Sequence, residues 1–337
     1  MTVSPAPRPP RVTHVNDCAF VARALVDAAA RSGLRWGYLP PEKVRPAAGF
    51  GGGAGRLREL PFVLRHARAA ASSDVLHIHY ATTVPLMRKP YIPKRPYLLH
   101  LHGTDIRRQW KDPRTHDMVQ RAIDGASSVY YTNLDTVEEA TTARPDAQYM
   151  PAFVEPQRLP SWRTPRRSGQ QTVLFVSRWD DSKGVETQLA VASALRAALP
   201  ADVRLVGLDW GPGAREAAAR GVELVPRLRH AEFLDLVAGA DVAIGQGSGA
   251  IGVSELEAMA IGPVVLCPVR ELQDGGDPPP VLTGTVAEVV EQTALALVDP
   301  VAASARLDAR RWVLGKHTPE RWVDVLETAY RDAVRSR

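Results

Sequence analysis

Short apolar runs alternate along this chain with longer stretches whose apolar residues recur every three or four positions. The first run, Val12–Val15, reads as a buried strand. Asn16 and Asp17 follow where a helix cap is wanted, and AFVARALVDAAARSG then places Ala24, Leu25, Ala28 and Ala29 on one helical face, with Gly33 as the stop. DVLHIHY and YLLHLH read as further strand ends, with the helical pattern LRELPFVLRHARAA before the first of them. The rhythm resumes with QTVLFVSR, GVETQLAVASALRAALP and DVRLVGLDWG, then HAEFLDLVAGA, DVAIG, SELEAMA and VVLCP. Strand alternating with helix predicts parallel sheets covered on both faces. A terminal helix is expected in HTPERWVDVLETAYRDAVR, with Trp322, Val325, Leu326 and Ala329 on its apolar face.

The 337 residues suffice for two domains, each with its own core. The polar, proline-containing segment PQRLPSWRTPRRSGQQ is a plausible junction. The expected division is a tail at 1–11, a first domain at 12–160, a linker at 161–171, a second domain at 172–312 and a terminal helix at 313–337. A charged fraction of 23% and an apolar fraction of 45% describe an ordinary globular chain. The formal charge of +5 is mild, and the arginine-rich segments at 65–68, 107–111 and 163–167 are not joined. Without a zinc-finger spacing or RNA-recognition signature, that charge argues against nucleic acid and permits phosphate-bearing ligands. Cys18 and Cys267, the two cysteines, make neither a disulfide framework nor a four-ligand zinc site. No apolar run has the length of a signal or a membrane span, so the expected address is the cytoplasm, with peripheral contact at the inner face of the membrane permitted.

Two segments of the second half carry candidate chemistry. In SRWDDSKG, Arg178 and Lys183 flank a turn after a buried strand, where their charges and the following helix N-terminus can converge on a diphosphate. The bland alternative is a surface turn in which Asp180 or Asp181 pairs with these cations. In GQGSGAIGVSELEAMAIGPVV, Gly245, Gly247, Gly249 and Gly252 allow close backbone approach, and Ser254 with Glu257 has the spacing of a capping box. Glu257 has that cap role as its structural explanation, and Glu255 reads as a solvated carboxylate of the first turn. A third glycine-rich stretch, GFGGGAGR at 49–56, lacks the Lys and hydroxyl residue of a P-loop. In the first half, His77, His79, His100 and His102 invite a metal reading, but spacing by two needs only one strand face. Hydrogen-bonding histidines are the favoured reading, and no metal is assigned.

SRWDDSKG and SGAIGVSELEAMAIGPVV resemble the donor-domain motifs of retaining glycosyltransferases of GT-B architecture, specifically the GT4-type group. HIHY, HLHGTDIR and the HTPERWVDVLETAY tail extend the similarity more loosely over most of the chain. The resemblance implies an α/β fold of two Rossmann-like domains facing across a cleft, with the C-terminal helix packing back on the first. It implies a donor diphosphate held by Arg178 and Lys183, loop contacts from Gly249, Gly252, Val253 and Ser254, and a nucleotide ribose held by Glu257. His102 would contact the transferred sugar. Tyr80, Asp105 and Arg107 would face the acceptor, with Arg108, Tyr131, Asn133 and Asp135 nearby. Gly249 stands where many members have a glutamate that contacts the sugar, leaving Gln246 or Glu255 as substitutes. GVELVPRL would border the base, with Arg227 and Arg229 ranked below Arg178 and Lys183.

The implied reaction moves a hexosyl-type group from a nucleoside-diphosphate sugar to a hydroxyl of a small molecule, glycan or lipid-linked acceptor. No cofactor is required, and the donor is a substrate. The rival readings are a nucleotide-sugar-binding partner of an active transferase, motivated by Gly249, and a GT-B sugar-nucleotide epimerase. The absence of an early GxGxxG fingerprint argues against a dehydrogenase.

Overall fold

The computed structural model describes residues 8–46, 56–163 and 169–336. The chain divides into two compact units, Met1–Phe153 with Pro319–Arg337 and Val154–Thr318. Each is built on a sheet of six parallel strands with helices between them. The glycine-rich run 49–55 lies outside the described residues, as do 164–168 of the expected linker.

In the first unit the strands are β1 (Val12–Val15), β2 (Gly37–Leu39), β3 (Val75–His79), β4 (Tyr97–Leu101), β5 (Ser128–Tyr131) and β6 (Gln148–Tyr149). Their order is β2-β1-β3-β4-β5-β6. The chain leaves β1 in one direction to make β2 and returns to the other side for β3, so the order reverses between β1 and β3. In open parallel sheets, ligand crevices form at the carboxyl ends of strands beside such a reversal. The helix Val21–Arg31 buries Ala24, Leu25, Ala28 and Ala29, as its periodicity predicts.

The terminal helix Glu320–Arg335 returns to this unit and packs on the same sheet face. Its buried stripe is Val323, Leu326, Tyr330 and Ala333, with Trp322 and Ala329 partly buried beside it. Val325, expected in that stripe, is exposed. The helix is rotated so that Tyr330 reaches the sheet, which moves Val325 to the outer side. Truncating Leu326 to Ala here costs about 2–5 kcal/mol, the usual range for a closed core position.

The second unit carries β7 (Thr172–Phe175), β8 (Arg204–Leu208), β9 (Glu223–Val225), β10 (Val242–Ile244), β11 (Val264–Cys267) and β12 (Leu282–Thr283). Their order is β12-β11-β10-β7-β8-β9, with the reversal between β7 and β10. Residues 154–160, expected in the first domain, belong to this unit. The Val154 amide donates to His317 O over 2.8 Å, and Trp162 Nε1 donates to Ala240 O over 2.8 Å. These bonds tie the chain to the second unit both before the expected linker and within it. The helix Ala309–Lys316 likewise stays with this unit, and the crossing back comes at Pro319.

Candidate functional site

The reversal between β7 and β10 brings together the two motifs singled out in the second half. Residues 176–184 leave the end of β7, and 245–252 leave the end of β10. Gly184 sits in the left-handed region at φ +69°, and a Cβ there would lie 2.5 Å from the carbonyl carbon of Gly247. A side chain at either glycine would push the loops apart. They are joined by the Gly247 amide, which donates to Lys183 O over 2.9 Å.

Arg178 and Lys183 therefore lie together beyond the carboxyl end of β7. The Arg178 guanidinium pairs with Asp180 and donates to Ser182 Oγ over 3.2 Å. Asp180 also accepts from the Ser182 amide at 2.9 Å and so caps the turn Asp181–Lys183. Lys183 Nζ donates to Gln246 Oε1 over 3.0 Å. The expected surface-turn pairing is thus present for Arg178, while Lys183 is held by Gln246 of the glycine-rich loop. Trp210, partly exposed after β8, lies under the Arg227 guanidinium at 4.4 Å and the Arg178 guanidinium at 5.7 Å from the ring centroid. Arg229 instead pairs outward with Glu232.

The helix Val253–Ile261 begins directly after this loop. Its cap differs from the expected Ser254–Glu257 box. Glu255 caps the helix instead, accepting from the Gly252 amide at 3.0 Å, with no side chain at Gly252 to answer it. Glu255 also accepts from Ser177 Oγ at 2.7 Å and the Gln246 amide at 3.0 Å. It is 1% exposed, so the expected solvated carboxylate is a buried tie between the two loops. Three donors satisfy this buried carboxyl group. The amides of Val253 and Ser254 have no hydrogen-bond partner among the described residues. Free amides at a helix start attract an anion.

Glu257, released from capping, is buried and meets His230 Nε2 at 2.6 Å. The hydrogen bond to that carboxylate raises the proton affinity of His230 above the ordinary value, against the opposing effect of burial. Gly249 adopts φ +82°, and a Cβ there would meet only the Glu271 carbonyl oxygen, at 3.8 Å. No carboxylate projects from this position, and of its proposed substitutes Gln246 holds Lys183 while Glu255 is spent on the loops.

At the reversal of the first sheet, the loop after β1 is strained. Asn16, Ala19 and Phe20 have φ of 72°, 49° and 63°, and Tyr80 after β3 has 71°. Left-handed conformations at residues other than glycine cost on the order of 1–3 kcal/mol each and gather at functional sites. Asn is a residue type that tolerates this region, whereas Ala19, Phe20 and Tyr80 carry no such signal. Asp17 caps the helix that follows, accepting from the Ala22 amide at 2.9 Å and from Tyr38 Oη at 2.8 Å.

The acceptor-side candidates are more structural than expected. Asp105 is fully buried, and its carboxylate accepts from the amides of Ala81 at 3.1 Å, His102 at 2.9 Å and Ile106 at 3.1 Å. It ties the ends of β3 and β4 and offers nothing to a hydroxyl. Burial pushes its pKa up to about 6, opposed by the same amides. Arg107 pairs with Asp135, its Nε 2.7 Å from the carboxylate, beside buried Gly103 and half-buried Asn133. Tyr80 Oη donates to Cys18 Sγ over 2.8 Å, and the Tyr80 ring lies 5.2 Å from that of His102. Tyr131 is buried core.

His102 is 6% exposed, and both ring nitrogens are already engaged. Nε2 faces His79 Nδ1 at 2.9 Å, and Nδ1 faces Thr132 Oγ1 at 3.3 Å. His14, which the sequence pattern did not single out, joins His77, His79, His100 and His102 on the same sheet face. Strand register predicts this, since His14 pairs with His77 and His79 with His100. His14, His77 and His79 bring ligand atoms within 4.8 Å of one another, as do His79, His100 and His102. Their nitrogens mostly face one another or hydroxyls, so the observed geometry is that of hydrogen-bonding histidines.

No family model matches the sequence, and no curated relative matches it. Solved structures do match the fold. A UDP-forming α,α-trehalose-phosphate synthase from Burkholderia xenovorans is 13% identical at a TM-score of 0.66, covering 96% of this chain and 99% of that one. Anabaena HepE in complex with UDP and glucose is 13% identical at 0.66, covering 95% and 98%. The catalytic domain of starch synthase IV from Arabidopsis thaliana, bound to ADP and acarbose, is 14% identical at 0.67, covering 98% and 100%. The chain shares with these structures the α/β fold of GT-B glycosyltransferases, with two six-stranded parallel sheets.

Proposed function

We propose that this chain is a retaining glycosyltransferase of the GT4 type, moving a hexosyl-type group from a nucleoside-diphosphate sugar to an acceptor hydroxyl. The observation that carries the reading is the convergence of Arg178, Lys183 and the unpartnered amides of Val253 and Ser254 at the β7–β10 reversal. Two fixed cations and a helix start favour a diphosphate. The UDP and ADP named for structures of the same fold support a nucleoside-diphosphate donor.

In this scheme the bond between the anomeric carbon and the phosphate oxygen breaks while the acceptor oxygen bonds that carbon on the same face. The acceptor proton passes to the released diphosphate, whose growing charge Arg178, Lys183 and the loop amides stabilise. That role needs no cofactor. Glu257 holds the nucleotide ribose with the oxygen that His230 does not engage. His102 meets the sugar by exchanging its long Thr132 contact for a sugar hydroxyl. Arg107 and Tyr80 remain acceptor-side candidates, whereas Asp105 acts only by holding the strand ends. The acceptor class is a hydroxyl-bearing small molecule, glycan or lipid-linked sugar. Among the described residues, no helix is long and apolar enough to cross a membrane.

The test is a matrix of donors and acceptors read by intact-product mass spectrometry, with the anomeric configuration of the best product determined. A retained configuration is expected, and an inverted product contradicts the mechanism. Gly249 favours a second reading, a donor-binding partner of an active transferase, because the position lacks the sugar-facing carboxylate. Tight nucleotide binding without transfer to any acceptor would select it.

A further inference from the structure

The histidines of the first unit are joined to two hydroxyl groups in a single unbranched hydrogen-bond chain. Tyr330 Oη, from the terminal helix, lies 2.6 Å from His77 Nδ1 and 3.1 Å from His14 Nε2. His14 Nδ1 meets His79 Nε2 at 3.2 Å, and His79 Nδ1 meets His102 Nε2 at 2.9 Å. Thr132 Oγ1 closes the series, 3.3 Å from His102 Nδ1 and 2.8 Å from His100 Nε2. Burial holds all five imidazoles well below the usual histidine range, so all are neutral at neutral pH.

A neutral imidazole has one N–H and one acceptor nitrogen, and a hydroxyl donates one hydrogen. The choice at any link therefore dictates the next. If Tyr330 donates to His77, it accepts from Nε2–H of His14. His14 Nδ1 then accepts from His79 Nε2–H, which leaves His79 Nδ1 to accept from His102 Nε2–H. Thr132 next donates to His102 and accepts from His100 Nε2–H, so all five rings carry the proton on Nε2. If Tyr330 instead donates to His14, every bond reverses and all five carry it on Nδ1. Within the run His14–His79–His102 a mixed arrangement sets two lone pairs or two N–H groups against each other in the core, leaving polar atoms unsatisfied at about 1–3 kcal/mol each. At the two ends, where His77 Nε2 and His100 Nδ1 have no partner among the described residues, Tyr330 or Thr132 can instead accept from both of its rings, which leaves the common tautomer of the three middle rings unchanged.

We propose that Tyr330 and Thr132 are positioning residues that together set the tautomer of His102, through a chain of imidazoles that reverses as one unit. His102 is the one ring of the five with any exposure. If the sugar-facing role proposed for His102 holds, a ligand hydroxyl bound there selects the sense of the bonds as far as Tyr330. The chain itself does not depend on that reading.

The experiment is long-range proton–nitrogen NMR on the full chain with nitrogen-15-labelled histidine, which separates the two neutral tautomers ring by ring. In the wild type, His14, His79 and His102 should share one tautomer population. Tyr330→Phe leaves His14 Nε2 without a partner, and a buried unpaired N–H is tolerated less well than a bare acceptor. That variant should hold His102 in the Nδ1–H form, although it is three rings from the change. Thr132→Val leaves His102 Nδ1 bare and should hold His102 and His14 in the Nε2–H form. The two variants thus fix His102 in opposite tautomers, a readout that loss of local packing would not produce. One common His102 tautomer in both variants overturns the proposal. So do differing tautomers of His14, His79 and His102 in the wild type, a comparison that stands if either variant fails to fold.

Discussion

Mild acid should unfold the first unit, and the size of the effect follows from its five buried imidazoles. Each binds a proton in the unfolded chain near the ordinary pKa of 6.5, but not in the folded unit, where burial depresses the value. A depressed pKa contributes stability above the unfolded value that is lost progressively as pH falls below it. By proton linkage each ring costs about 1 kcal/mol at pH 5.5 and about 2 kcal/mol at pH 5. Together they cost about 10 kcal/mol at pH 5, comparable with the whole stability of an ordinary domain. Asp105 works in the opposite sense. Its pKa, raised to about 6, returns about 1 kcal/mol by pH 5.5. Urea titrations at pH 7, 6 and 5.5, followed by tryptophan fluorescence, should therefore show a steep loss. Trp36 stacks on His14 at 5.4 Å, so Trp36→Phe identifies the step that belongs to this unit. His77→Gln should reduce the proton uptake of that step by about one. A change below about 2 kcal/mol between pH 7 and 5.5 would refute neutral burial of the five rings.

Three further outcomes concern the second unit. Glu255→Ala should lower its stability by about 3 kcal/mol or more, read as a shifted urea midpoint, because Ser177 and the amides of Gln246 and Gly252 lose their shared acceptor, at about 1–3 kcal/mol for each donor left unsatisfied. Gly184→Ala should weaken UDP binding in calorimetry as well as stability, since its Cβ would strike the Gly247 backbone; unchanged affinity would detach the loop contact from the site. Glu257→Gln should lower the pKa of His230, followed by proton NMR, because the carboxylate is the first cause of its rise.

Local pattern exposed the elements whose causes are local. VTHV, HIH and LLHL are strands because apolar residues flank them on both faces, and AFVARALVDAAARSG is a helix with the expected buried alanines. The polar ties were harder to see. Gly252 with Glu255 and Ser254 with Glu257 share one spacing, so sequence alone could not say where the loop ended. The choice is made by partners far along the chain, Ser177 for Glu255 and His230 for Glu257. Asp105 showed the same limit, because its amide donors come from two strand ends. The histidine chain was partly legible, since two His-x-His strand ends share a face. His14 and Tyr330 join it only through strand register and helix rotation. The left-handed Ala19 and Phe20 left no trace in residue type.

The central claim is that one diphosphate is held at the β7–β10 reversal of the second unit. Calorimetric titration of UDP, ADP and GDP into the wild type, Arg178→Ala and Lys183→Ala tests it most directly. At least one nucleotide should bind, with a loss of about tenfold or more in each variant, the worth of a charge-assisted hydrogen bond. Equal affinity in all three proteins would contradict it.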